Sequence, residues 1–164
     1  MTGPAEGTRM TKIIDDVAAI DIFMNTHRYE ASDGFVVKNL PKHPVHARPN
    51  RGNAGAYFNF AKLKSLEAHI SELPPGQETK THRHTCEALF YVLAGKGYSV
   101  LWEDGESEKK VEWQAGDLFF TPMLVWHKHV NADRILPARY LEITTLPLMK
   151  ALGTWRIESR IEEG

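Results

Sequence analysis

The chain has 164 residues, 42% hydrophobic and 25% charged, a composition that suits one ordinary globular domain with a single sizeable core. Twenty basic against twenty-one acidic side chains leave a formal charge of −1, which excludes a global field that gathers nucleic acid or an anionic membrane. No apolar run reaches the ~20 residues that span a bilayer, and the single cysteine, Cys86, excludes an intrachain disulfide and fits a reducing cytoplasm.

Residues 1–10, "MTGPAEGTRM", carry no apolar stretch of the signal-peptide kind and read as a disordered leader. Ile13, Ile14, Val17, Ile20 and Phe23 recur at helical spacing, so one amphipathic helix is expected over 11–28. Three prolines and two glycines without periodicity make 41–55 an irregular connection, and its basic cluster "HPVHARPNR" reads as a solvated surface loop. From residue 56 to about 146 the pattern changes. Short alternating or apolar runs ("AYFNFAKL", "SLEAHISEL", "ALFYVLAG", "YSVLWE", "VEWQ", "DLFFTP", "VWHKHV", "RYLEITTL") alternate with Gly, Pro and Asp turns. Seven or eight such strands predict an all-β sandwich or barrel. The tail, 147–164, is expected to hold a helical turn and a covering segment.

Two histidine pairs stand out, "THRHTCEALFYVLAGKG" and "TPMLVWHKHVN". On a strand, residues i and i+2 share a face, so His82 and His84 project together; on a helix they would point about 200° apart. The H-x-H spacing is therefore a chelating pattern only on a strand, and the flanking runs supply one.

The frame around the pairs resembles the cupin family. Gly76, five residues, His82-Arg83-His84 and then Gly95 are similar to its first motif; Gly116, Pro122, His127 and Asn131 are similar to its second, with Leu124 where the family has an inner glycine. This resemblance implies an all-β, double-stranded β-helix (jelly-roll) barrel with a short helical segment before it. It also implies a metal site in which His127 joins His82 and His84 as neutral imidazole ligands, with coordination positions left open.

One departure concerns the family's ligating glutamate. Counting back from Gly95, that position is Ala88, and Glu87 stands one residue earlier, on the opposite face of a regular strand. A bulge would turn Glu87 inward as a fourth ligand; otherwise it lies on the surface or the barrel rim. A narrower resemblance, to gentisate 1,2-dioxygenases and related ring-cleaving cupins, fits the missing carboxylate, since those enzymes hold Fe(II) with three histidines. They carry two cupin domains, however, and only one motif pair is present here.

The resemblance thus implies one divalent transition metal per chain, Fe(II) before Mn, Ni or Zn, and a dioxygenase-like enzyme acting on a small aromatic or enol-bearing acid. A lyase or isomerase using the ion as a Lewis acid, and a non-catalytic ligand-binding or regulatory cupin, are the alternatives. His129 shares the phase of His127 and is a candidate catalytic base or substrate contact, or a structural histidine. Phe90 and Tyr140 are candidates for the substrate pocket, with Glu142 on the phase of Tyr140. Cys86 is a small buried hydrophobe that can line the cavity. Trp126 and Arg83 fall off phase, and His27, His43, His46 and His69 are expected to be structural or exposed. The expected partners are a small-molecule substrate and a second copy of the chain.

Overall fold

The computed structural model describes residues 11–162, so the leader expected over 1–10 lies outside the described residues. In chain order the elements are β1 (Thr11–Asp15), α1 (Val17–Thr26), β2 (Arg28–Glu30), a 3-10 turn at Leu40–Lys42, β3 (His46–Arg48), β4 (Asn53–Asn59) and β5 (Glu67–Leu73). Then follow β6 (His82–His84), β7 (Ala88–Ala94), β8 (Lys96–Trp102), β9 (Lys109–Gln114) and β10 (Leu118–Thr121). The chain continues through β11 (Trp126–Asn131), β12 (Ala138–Thr144), α2 (Leu146–Ala151) and β13 (Ile157–Glu162).

The strands form two sheets. One has the order β1-β13-β6-β11-β8-β9, the other β10-β7-β12-β5-β4-β2, with β3 also paired to β4. From β5 onward the chain crosses repeatedly between the sheets, which is the wiring of an all-β jelly roll. Each crossing needs a tight corner. Gly95, between β7 and β8, has φ +82°, and a Cβ there would lie 2.8 Å from both the Pro137 carbonyl oxygen and the Ala138 Cα. Only glycine fits such a corner.

Two expectations change at the ends of the chain. Residues 11–15 are not the start of the helix but strand β1, paired antiparallel with β13 from Thr11↔Glu162 to Asp15↔Glu158. Ile13 and Ile14 suit either element, and pairing with the distant tail decides for the β-branched choice. The helix starts after it, where Asp15 Oδ1 accepts the Val17 N–H at 2.8 Å. The tail likewise holds α2 but ends as β13, a strand of the sheet between β1 and β6. The connection expected to be irregular also contains order, because Ala47 and Arg48 of β3 pair with Ala54 and Asn53.

The interior is closed at both ends by apolar side chains. At one end Phe90, Val92, Trp113, Phe119, Ala138 and Tyr140 pack across the sheets. At the other, Ile20 and Met24 of α1 and Leu146 of α2 pack on Trp155, Tyr57, Cys86 and Ile157. Between these plugs the barrel wall is polar, and the histidines lie there.

Candidate metal centre and its pocket

His82 and His84 share one face of β6, and β11 runs antiparallel beside it with His127 directly opposite His82. The ring centroids lie 4.2 Å apart for His82–His127, 4.9 Å for His84–His127 and 5.7 Å for His82–His84. One nitrogen from each ring falls within 4.8 Å of the other two, and all three residues are buried. Each Nδ1 sits against a backbone carbonyl: Lys80 at 2.7 Å, Cys86 at 2.8 Å and Val125 at 2.8 Å for His82, His84 and His127. A carbonyl only accepts, so each Nδ1 carries the proton and each Nε2 keeps its lone pair.

The Nε2 of His127 is buried with no hydrogen-bond partner among the described residues. A lone pair without a donor is costly in a protein interior but suits a metal ligand. Burial also holds the rings neutral. It pushes His82 well below the usual histidine range, helped by the positive charge of Arg51, and His84 down to about 4. His127 is lowered by burial and by His84 and His129. Three neutral imidazoles of fixed tautomer are a donor set that fits a divalent transition metal.

Leu124 has φ +63°, the left-handed conformation that suits the glycine of the related motif. Its N–H donates to the His84 carbonyl at 2.7 Å, which ties the β10–β11 turn to β6. Glu87 is exposed and stays out of the histidine cluster. No bulge turns it inward, so of the two alternatives it takes the surface one and is not a fourth ligand.

His129 is buried beside the cluster but outside its ligand distances. Its Nδ1 hydrogen-bonds to Ser99 Oγ at 2.8 Å, and that oxygen also accepts the Trp113 indole N–H at 3.0 Å. Burial lowers its pKa to about 4. Phe90 stacks on Phe119 at 4.6 Å and lies 4.8 Å from His129. Tyr140 packs edge-on against Phe90, and its buried hydroxyl has no hydrogen-bond partner among the described residues. Cys86 lines the pocket with its Sγ 3.5 Å from His84 Nδ1, and burial raises its thiol to about 12, so it behaves as a small apolar group.

Several pocket residues escaped the sequence reading. The basic stretch read as a surface loop carries Arg48 and Arg51, only 4% and 7% exposed. Arg48 donates to Asn53 Oδ1, the Tyr57 hydroxyl and Ser71 Oγ at 2.9–3.0 Å. Arg51 reaches Ser159 Oγ at 3.3 Å and the Asp16 carboxylate at 3.9 Å. Burial, then the like charge of Arg48, lowers its pKa to about 10, which still leaves it a cation at neutral pH.

On the facing sheet His69 is buried between two carboxylates, Glu67 at 2.9 Å from Nδ1 and Glu142 against Nε2. Burial alone would lower its pKa, but Glu142 and Glu67 outweigh it and hold His69 well above the usual range. Burial opposes ionisation of Glu142, yet His69 keeps its pKa well below the usual carboxylate range. A sequence signal existed. Glu67 and His69 repeat the i, i+2 spacing of the motif histidines, and Ser71 continues it.

Away from the pocket, Trp126 lies between the guanidinium groups of Arg83 and Arg160 at 4.4 and 4.2 Å, and His27 stacks on His46 at 4.2 Å.

The pocket leaves about 50 Å³ of free space, room for a few groups of water size at ~10–15 Å³ each. Its wall balances charge. Arg48, Arg51 and protonated His69 line it together with Glu67 and Glu142, and Asp16, outside the lining, pairs with Arg51. With the three ligand histidines neutral, the charge of a divalent ion would be left for a bound anion to compensate.

Residues 69–144 match the family model described as the cupin domain. The chain is 31% identical over 102 residues to 5-aminosalicylate 1,2-dioxygenase of Comamonas sp, a match that covers 62% of this chain and 25% of that protein. It is 32% identical over 69 residues to auxin-binding protein T85 of Nicotiana tabacum, covering 42% of this chain and 36% of that one. Among solved structures, salicylate 1,2-dioxygenase of Pseudoaminobacter salicylatoxidans in its adduct with gentisate superposes with TM-score 0.58 at 22% identity, covering 76% of this chain and 32% of that chain. The likeness to the solved structure is one of fold, and the match spans a quarter of the length of the Comamonas enzyme.

Proposed function

We propose, from the match of residues 69–144 to the cupin-domain family model, that this protein is an Fe(II)-dependent dioxygenase acting on a small aromatic or enol-bearing carboxylic acid. The observation that carries the reading is the convergence of three buried imidazoles, one with an unpartnered Nε2, on a pocket that also holds buried guanidinium groups. His82, His84 and His127 would hold the ion. When bound, Fe(II) would supply open coordination positions and a redox capacity that zinc lacks.

The chain's own residues do the rest. Arg51 is the carboxylate anchor, since its one acidic partner among the described residues stands at 3.9 Å and its charge is buried. Arg48 holds Tyr57 and Ser71 in place and adds positive potential. His129, neutral at physiological pH and oriented by Ser99, is placed to take the proton of a substrate hydroxyl. Phe90 packs against the substrate ring, and the free hydroxyl of Tyr140 donates to it. The α1 and α2 plug keeps bulk water out. The dioxygenase relative supports the substrate class.

The test is oxygen uptake by metal-free protein reloaded with Fe(II) or Zn(II), against a panel of hydroxybenzoates, aminobenzoates and enolic acids. Uptake with iron alone supports the reading. Turnover of the same acids with zinc favours the Lewis-acid lyase or isomerase, and tight binding without turnover favours a ligand-binding cupin.

A further inference from the structure

Trp113, Trp126 and Trp155 are all buried, but only two of them have an acceptor for the indole N–H. Trp113 donates to Ser99 Oγ at 3.0 Å and Trp126 to Asp104 Oδ1 at 2.9 Å. Trp155 differs. It is 6% exposed, and its Nε1 has no hydrogen-bond partner among the described residues. A buried indole N–H ordinarily finds an acceptor, because leaving that bond unmade costs the desolvation of the donor. Trp155 lines the same pocket as the three histidines, so the missing acceptor is one that a ligand in that pocket can bring.

The backbone on either side of Trp155 is clamped. Thr85 Oγ1 donates to the Thr154 carbonyl and accepts the Arg156 N–H, both at 2.9 Å, and the Thr85 N–H donates to the Arg156 carbonyl at 3.1 Å. Thr85 directly follows His84, so the clamp ties Trp155 to the end of β6. From there burial alternates. Trp155, Ile157 and Ser159 are buried, while Arg156 is exposed and Glu158 half-buried. Ile157 stands opposite His84 and Ser159 opposite His82, and Ser159 Oγ takes a hydrogen bond from Arg51 at 3.3 Å. Along this wall the order is therefore Arg51, the histidines, Trp155. A ligand with its carboxylate on Arg51 that runs past the histidines ends at the indole.

The surroundings at that end decide the kind of acceptor. Trp155 packs with Ile20, Met24, Tyr57, Cys86, Leu146 and Ile157, none of them charged. A second anionic group would be buried there without a cation, so a neutral oxygen fits. With about 50 Å³ free, a ligand that fills the pocket also touches its walls. We infer that Trp155 is a specificity-determining residue whose indole N–H donates to a neutral carbonyl oxygen at the end of the substrate away from its carboxylate. The substrate class is thereby narrowed to small oxo acids. This inference rests on the reading of the pocket as a carboxylic-acid site, but not on iron, oxygen or turnover.

Calorimetric titration of zinc-loaded protein tests it, since zinc brings no redox chemistry. The probes are acetoacetate, levulinate and the next longer homologue, each against the acid in which a methylene group replaces the keto oxygen. In the wild type at least one keto acid is expected to bind roughly 5- to 10-fold tighter than its methylene counterpart, the worth of one hydrogen bond. In Trp155→Phe that ratio is expected to fall to near one with metal content unchanged. Arg51→Met should weaken both members of the pair by the same factor. If it weakens neither, the carboxylate anchor is lost while the Trp155 ratio still stands. A ratio that is the same in wild type and Trp155→Phe overturns the inference, and so does the lack of any keto preference in the wild type, absence of binding included. Should Trp155→Phe fail to fold, the indole N–H proton resonance of Trp155 in the wild type decides. A downfield shift with the keto acid alone supports the inference, and equal shifts with both members of the pair overturn it.

Discussion

His82 and His127 face each other across β6 and β11 with ring centroids 4.2 Å apart, while His129, two residues further along β11, pairs instead with Ser99. The two histidines of the second pair should therefore behave differently. His127→Ala is expected to lose the metal, and His129→Ala to keep it while turnover falls. Elemental analysis of the two purified variants decides. The melting temperature adds a second readout, because metal at 100 times its Kd stabilises the folded protein by about 2.7 kcal/mol. Metal should raise the melting temperature of His129→Ala and leave that of His127→Ala unchanged. The reverse pattern would mean that the second motif is out of register.

Arg51 is predicted to set affinity for the substrate carboxylate. A charge-assisted hydrogen bond is worth roughly 1.5–3 kcal/mol, so Arg51→Met should weaken a carboxylate ligand by ~10- to 100-fold. The corresponding carboxamide should bind both proteins alike, and metal content should not change. Calorimetric titration of acid and amide into wild type and variant separates this role from general loss of structure.

The His69–Glu142 pair predicts a pH dependence of stability. The pKa of His69 is raised by folding, so its contribution is complete below its ordinary value near 6.5 and is lost as pH rises toward the higher folded value. Glu142 is lowered, so its contribution is complete above 4.5 and is lost as pH falls through the folded value. Both act in full between about 4.5 and 6.5. The stability difference between wild type and His69→Gln, measured by urea unfolding of metal-free protein, should be largest in that window and shrink toward pH 9. A difference that grows above pH 7 would show that His69 is neutral in the folded protein.

Glycines of similar appearance should tolerate change very differently. A Cβ on Gly97 would lie 2.1 Å from the Val130 carbonyl oxygen and 2.3 Å from the Trp113 ring, with both neighbours inside packed strands. Gly97→Ala is expected to cost more than ~3 kcal/mol or to prevent folding. Gly76, with φ +66° and Arg134 no nearer than 4.0 Å, has only its backbone conformation to lose. Gly76→Ala should cost about 1 kcal/mol. Thermal unfolding of the pair checks the order.

The barrel and the three histidines were legible because their signals are local. Alternation with a period of two, punctuated by Gly, Pro and Asp, marks strands wherever they end up, and H-x-H on such a strand points both rings to one side. Parity also left Glu87 outside the cluster unless a bulge intervened, and the regular course of β7 from Ala88 provides none.

Other residues could not be placed from their neighbourhood. Arg51 and Ser159 are 108 residues apart, and Ser71 and Glu142 are 71 apart. A basic loop and a buried guanidinium pair have the same local composition; only the strands that arrive from elsewhere supply the partners that make burial tolerable. Ile13 and Ile14 likewise had two compatible futures, and hydrogen bonding to the far end of the chain chose the strand.

The sequence by itself determined which side chains share a face, because backbone geometry imposes that within a few residues. What each face meets was decided by the tertiary structure alone: the donors around the arginines, the carboxylates on His69, the helical plug over the pocket. Those contacts depend on long-range pairing, whose free energy comes from burial and hydrogen bonds that no local stretch contains.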